Sequence, residues 1–209
     1  MSNKPLYAPP PSSGGDFLPP PAGTHVATCY RLVDLGTQVT EYQGESKKQH
    51  KIMLSWELPD ELMENGQPFS IHQRYTLSMH EKATLRKHLE AWRGRAFNDD
   101  EAGKFDISSI LGKACFLSII HATKGDRTYA NISGVSKLAK GTPAPAPINP
   151  RTFFSLAEPD WTLYGLLSQG LQAVIAKSPE YAEARRGPTS DATDNTPADD
   201  DFHDDSIPF

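Results

Sequence analysis

Hydrophobic and polar residues alternate most cleanly in the second quarter of the chain. Ile52, Leu54, Trp56 and Leu58 alternate with Lys51, Met53, Ser55 and Glu57, a period of two that predicts a strand with one buried face. Phe69, Ile71, Tyr75 and Leu77 alternate with Ser70, His72, Arg74, Thr76 and Ser78 in the same way, with Gln73 as the polar exception on the apolar side. Upstream, His25–Leu35 is apolar on both parities, with Ala27, Cys29, Val33 and Leu35 on one and Val26, Tyr30 and Leu32 on the other. A strand shared between two sides of a barrel has this pattern. Gly36 is read as its end, the polar stretch 37–50 as a loop, and Pro59-Asp60 and Asn65-Gly66 as turn signals.

The period then becomes helical. Between Glu81 and Arg93, Leu85, Leu89 and Trp92 recur at helical spacing, and Gly94 closes the segment. Ile107, Ile110 and Leu111 predict a further short turn ended by Gly112. Alternation returns over Lys113–His121 with Cys115, Leu117 and Ile119; Lys124-Gly125-Asp126 makes a turn, and a last strand runs from Arg127 to Val135. The order is strand, strand, strand, helix, strand, strand, which is that of the OB-fold, a small Greek-key barrel. The expected fold class is therefore mainly β: a five-stranded OB-fold barrel with one helix between strands 3 and 4.

Proline punctuates what surrounds this unit. Seven of the 18 prolines lie in residues 1–22 and four in 141–150. We read 1–22 as a disordered Pro-rich arm, 23–140 as the OB-fold domain and 141–150 as a linker. Beyond it, Arg151–Leu156 is a short apolar segment. Trp161, Tyr164, Leu167, Leu171, Val174 and Ile175 then follow helical spacing, Pro179 interrupts, and Tyr181–Arg186 adds a turn. Residues 151–186 form a helical extension too short to be a domain. It packs on the barrel or on a second copy in a homodimer, and the sequence leaves both open. Residues 187–209 have no periodicity and few apolar groups, as in a disordered tail.

Charge divides the chain at the same point. The net charge of −5 hides seven aspartates and no Lys or Arg from Pro188 onward, which leaves 19 acids against 21 bases before it. Cys29 and Cys115 sit in strand-like runs without a Cys-x-x-Cys spacing, as reduced core residues of a cytosolic protein do. The first 21 residues lack the apolar segment of a signal peptide, and no run of about 18 apolar residues occurs. The expected location is the cytoplasm, with no membrane partner. His72, His80 and His88 fit no metal or general-base motif, and neither a phosphate-binding Gly-rich loop nor a nucleophile elbow appears. No metal, cofactor or catalytic residue is expected. Arg86, Lys87, Arg93 and Arg95 read as a solvated helix face.

In OB-folds single strands lie over strands 2 and 3 and the loops after strands 1 and 4. Here the outer face of strands 2 and 3 offers Lys51, Met53, Ser55, His72, Arg74 and Thr76. The first loop adds Tyr42, Lys47, Lys48 and His50, and the last adds Lys124 and Arg127, with Tyr129 just beyond. Cations track phosphates, while aromatics and Met offer faces to bases, each stacked base contributing about 1–3 kcal/mol. The candidate set for single-stranded DNA is Tyr42, Lys47, Lys48, Lys51, Met53, His72, Arg74, Lys124, Arg127 and Tyr129. Trp56 shares the parity of Ile52 and Leu54 and is assigned to the core. For each member of the set an ordinary solvated position is the alternative.

The end of the tail reads Asp201-Phe202-His203-Asp204-Asp205-Ser206-Ile207-Pro208-Phe209. A Phe ring and its α-carboxylate behind aspartates suit an apolar pocket rimmed by Lys or Arg on a partner. This stretch resembles the C-terminal tip of bacterial single-stranded DNA-binding proteins. Phe202, Asp204, Asp205, Ile207, Pro208 and Phe209 match, while His203 and Ser206 depart from the acids usual there. The resemblance implies docking of replication and repair proteins at the tip. Gly36-Thr37-Gln38, Ser55-Trp56-Glu57-Leu58-Pro59 and the 149–184 extension look like a protein commonly encoded by phages. That second resemblance implies a viral protein that coats single-stranded DNA in replication or recombination, in the host cytoplasm. Two other readings stay open: an OB-like adaptor that captures host replication proteins without binding DNA, and a DNA-processing enzyme.

Overall fold

The structure is a computed structural model and describes residues 18–42 and 45–186. It is mainly β. Strands β1 (Gly23–Tyr42), β2 (Glu45–Leu62), β3 (Pro68–Thr76), β4 (Ala114–Lys124) and β5 (Arg127–Ser136) form one antiparallel sheet in the order β3-β2-β1-β4-β5. A short sixth strand, β6 (Thr152–Phe154), runs parallel to β1 beyond the start of β4. β3 and β5 approach each other, but no ladder joins them among the described residues, so the sheet is open. Helix α1 (Thr84–Arg93) lies between β3 and β4, as its spacing predicts, and Gly94 caps it in the left-handed conformation. A short α2 (Asp99–Lys104) and a 3₁₀ turn (Ile107–Ile110) come next. No helix among the described residues is long and apolar enough to cross a membrane.

β1 serves two cores because its register shifts. The shift between Cys29 and Arg31 inserts Tyr30 as an extra residue and reverses the facing of the strand beyond it. Ala27, Cys29 and then Leu32 point into the main core with Leu54, Trp56, Ile71 and Leu117. Trp56 is 1% exposed, its ring centroid 6.0 Å from that of Trp92, so it belongs to the core as its parity requires. Burial also pushes the Cys29 thiol up to about 12. Val33 and Leu35 turn the other way, into a second core with Met53, Phe154, Tyr164, Leu171 and Ile175. The extension therefore packs back on its own sheet.

The extension is not one continuous helix. It is α3 (Trp161–Leu166), α4 (Gln169–Ile175) and α5 (Pro179–Arg186). Asp160 caps α3, accepting the N–H groups of Thr162 and Leu163 at 2.9 and 3.0 Å. Leu167 turns extended, and the Ser168 hydroxyl accepts the Leu171 N–H to restart the helix. The apolar residues read from the spacing still face inward, because each cap redirects the backbone without losing that side.

Gly36 does not end β1. A second register shift falls between Asp34 and Gly36, which has φ +67° and donates its N–H to Asp34 Oδ1 at 2.9 Å. A Cβ there would lie 2.5 Å from Ser178 Cβ, so the extension approaches this backbone closely. The strand then continues, and 37–50 is a two-stranded arm paired from Thr37–His50 to Tyr42–Glu45, not a loop. Similarly, β2 runs through Pro59-Asp60 to Leu62, and the turn is made at Met63–Gln67.

Candidate nucleic-acid interface

Two hairpin arms leave the sheet at opposite ends of β1. Gly23 is level with Ile119 of β4, so the β4–β5 tip at Lys124–Arg127 projects past the start of β1, while the β1–β2 tip projects past its end. On the first arm, Lys47 and Lys48 are exposed opposite Thr40 and Val39, and Tyr42 pairs with Glu45 through the backbone. On the second, Lys124 and Arg127 flank Gly125-Asp126 and are exposed. Tyr129 pairs with Ala122, which puts it on the same face as Ile120. Both are about half exposed, at 47% and 53%, and together they present an apolar strip beside the cations.

The sheet face between the arms is narrower than the sequence predicts. Adjacent strands bring Arg31, Ser55 and His72 into one row and Met53 opposite Arg74 in the next. His72 and Arg74 keep solvent contact. Partial burial, then the Arg74 and Arg31 charges, hold His72 below the ordinary histidine range. Lys51 is half-buried and donates to Gln49 Oε1 and Thr76 Oγ1 at 2.8 and 2.7 Å, and burial lowers its pKa. Arg31 is a residue that sequence reasoning missed. The bulge at Tyr30 sends it to the outer face, which no periodicity could announce. Its guanidinium sits 5.1 Å from the Tyr30 ring centroid, and its Nε is buried without a hydrogen-bond partner among the described residues.

Other expected contacts are elsewhere. Met53 is 3% exposed in the second core, beneath the extension, and has no face for a base. Glu57 is fully buried. Its carboxylate accepts the N–H of Ile148, and the N–H and Nδ2–H of Asn149 at 2.8 and 2.5 Å. Thr28 donates to the Pro145 carbonyl at 3.1 Å. The linker is thus strapped over the outer face of β1 and β2. His50 is 2.7 Å from Asp34 Oδ1 and 3.5 Å from Glu180 Oε1, at the foot of the first arm and not free on it. Burial raises the Glu180 pKa, but two hydrogen bonds from Thr37 and the His50 charge outweigh it, and the net shift is downward.

Arg86 corrects the reading of a solvated helix face. It is 7% exposed, pairs with Glu90 at 3.0 Å and donates to the Met79 and Phe97 carbonyls. Arg93 and Arg95 pair with Glu101. His88 takes part in a 2.9 Å hydrogen bond with the Tyr75 hydroxyl. The tail residues Phe202, Asp204, Asp205, Ile207, Pro208 and Phe209 lie outside the described residues, as does the arm before residue 18. Comparison with known proteins finds no family model and no curated protein that matches the chain.

Proposed function

We propose that this is a non-enzymatic protein of OB-fold type that coats single-stranded DNA, serving phage replication or recombination in the host cytoplasm. One observation carries the reading: two arms with exposed Lys47, Lys48, Lys124 and Arg127 flank a sheet face bearing Arg31, His72 and Arg74. The sheet order supports the OB assignment, since β1 lies between β2 and β4 as in that Greek-key barrel, with α1 between β3 and β4. The strand would run along the arms and over β3, its phosphates met by cations and its bases stacked on Tyr129. The acidic segment 187–209 would dock replication and repair proteins through Phe202, Asp204, Asp205, Ile207, Pro208 and Phe209, the residues that match the tip of bacterial single-stranded DNA-binding proteins.

The test is fluorescence anisotropy of labelled oligo(dT) at graded salt. Saturable binding that weakens steeply as salt rises is expected. Absence of binding at low salt refutes the DNA reading and favours a protein-binding adaptor. The covering of β2 by the chain's own linker and extension is the observation on that second reading's side.

A further inference from the structure

The underside of the sheet carries a groove that the proposed path over β3 does not use. A groove of about 250 Å³ opens between β1, β6 and the 3₁₀ turn, walled by Leu32, Leu77, Ile107 and Phe153. Phe153 and Leu77 are 50% and 41% exposed although both line an apolar surface. Parallel pairing of Leu32 with Phe153 sets this ring on the face away from Phe154, which is wholly buried in the second core. The groove continues past Ser108 and Phe153 into a trough bounded by Lys113 and Arg151. Arg151 is exposed and lies over Gly112, whose φ is +77°: a Cβ there would come within 3.0 Å of the arginine Cδ. Neither Lys113 nor Arg151 forms an ion pair among the described residues.

Groove and trough carry opposite charge. The carboxylates of Asp34 and Asp106 line the groove, whereas Lys113 and Arg151 line the trough that shares Ser108 and Phe153 with it. Asp106 already accepts the Ser108 N–H and hydroxyl at 2.8 Å each, and Asp34 accepts Gly36, His50 and Leu156. An ionised carboxylate has about four acceptor positions, so each retains capacity for a donor. An acidic peptide would set its carboxylates against these. A nucleotide whose base has an amino group matches this set: acceptors in the groove, cations in the trough, and the Phe153 ring shared by both.

We infer that this groove binds one nucleotide of a single strand, its base against Phe153 and its phosphate between Arg151 and Lys113, with amino-bearing bases preferred. The inference deepens the proposed function and rests on it only for the source of the nucleotide. The site lies on the far side of β1 from Arg31, His72 and Arg74, so a strand engaging both must cross the sheet edge at β6.

The experiment uses the full chain with labelled Leu and Ile methyls, titrated with dCMP, dTMP and a peptide of residues 204–209 while methyl and Phe153 amide resonances are followed. Ring-current shifts at Leu77 and Ile107 with dCMP are expected, with dTMP weaker by about threefold or more. They should vanish in Phe153→Ala and in Arg151→Gln. Phe153→Leu keeps the packing and should lower affinity for oligo(dC) by roughly five- to tenfold, the loss of one stacked base. No dCMP shifts, or shifts with the peptide alone, overturn the inference. Wild-type dCMP binding without any oligonucleotide binding would instead sink the strand-coating reading and leave the nucleotide groove standing.

Discussion

Replacing Glu57 by Gln tests whether the linker is held as the hydrogen bonds imply. The carboxylate is fully buried and meets three donors, two of them backbone N–H groups. Gln keeps the shape but only one acceptor oxygen. Either the Ile148 side or the Asn149 side must then face an NH₂ group, leaving at least one buried donor without a partner. Such a donor costs about 1–3 kcal/mol, and the surviving bonds lose their charge assistance. Removing a buried charge recovers part of that cost. The balance is a loss of roughly 2 kcal/mol, which at a urea m-value of about 2 kcal/mol/M lowers the unfolding midpoint by about 1 M. Hydrogen exchange localises the effect, since Ile148 and Asn149 should lose amide protection while the α1 amides exchange closer to the global rate. A midpoint unchanged within about 0.25 M, with protected 148–149 amides, would refute the clamp.

Changing Lys47, Lys48, Lys124 and Arg127 to Gln should flatten the log affinity–log salt plot for oligo(dT) by up to about 0.7 per side chain, or about 3 in all. An unchanged slope would remove the arms from the DNA path. Burial, and then the Arg74 and Arg31 charges, hold His72 low; a bound phosphate offsets the charges, so the bound state keeps a proton to higher pH and affinity should rise as pH falls below about 6.5. His72→Gln should abolish that rise in anisotropy titrations. Fold stability runs the opposite way. His72 and His88 both have lowered pKa values, so their contribution is complete above about pH 6.5 and is lost as pH falls toward the folded-state values, which denaturation at graded pH will report. Deleting Ile207–Phe209 should abolish capture of replication proteins and spare oligonucleotide binding, whereas removing residues 188–209, whose seven aspartates would compete with the strand for the arm cations, should tighten DNA binding at low salt in anisotropy titrations.

The strands with one apolar parity were legible because alternation marks the face turned to the main core. Ile52 to Leu58 and Phe69 to Tyr75 pack where their parity puts them. The β1–β2 arm was not legible, because both of its faces are solvated and a polar strand has no period to read, so Thr37 to Tyr42 looked like a loop; the β4–β5 turn was, through Lys124-Gly125-Asp126. Nor could alternation locate the bulge at Tyr30, and with it went the facing of Arg31 and the purpose of the second apolar parity. Met53 was misjudged for a related reason. It lies on the outer side as its parity says, but 151–186 supplies a second core over that side, and covering of a face depends on contacts between distant parts of the chain. The basic residues of the arms were reached through the loops of the expected strand order, which needs no register.

The covered half of the sheet is not a DNA surface awaiting release. Lifting the extension would expose Val33, Leu35 and Met53 together with Phe154 and Ile175, each now under 5% exposed. Fully burying a side chain of this size contributes about 1.5–3 kcal/mol. What lies on that face is apolar and acidic, for Glu57 sits there, held by the N–H groups of Ile148 and Asn149. A phosphate chain arriving there would meet a buried carboxylate and an apolar patch, and would recover neither the packing nor the hydrogen bonds. The cations lie outside the covered area, on β3, on both arms and at the rim of the groove under β6. A strand that follows charge therefore goes around the extension, and methyl resonances of Met53 and Val33 should stay unshifted when oligo(dT) saturates the protein. Large shifts there would mean that the extension moves, and that the path over β3 is wrong.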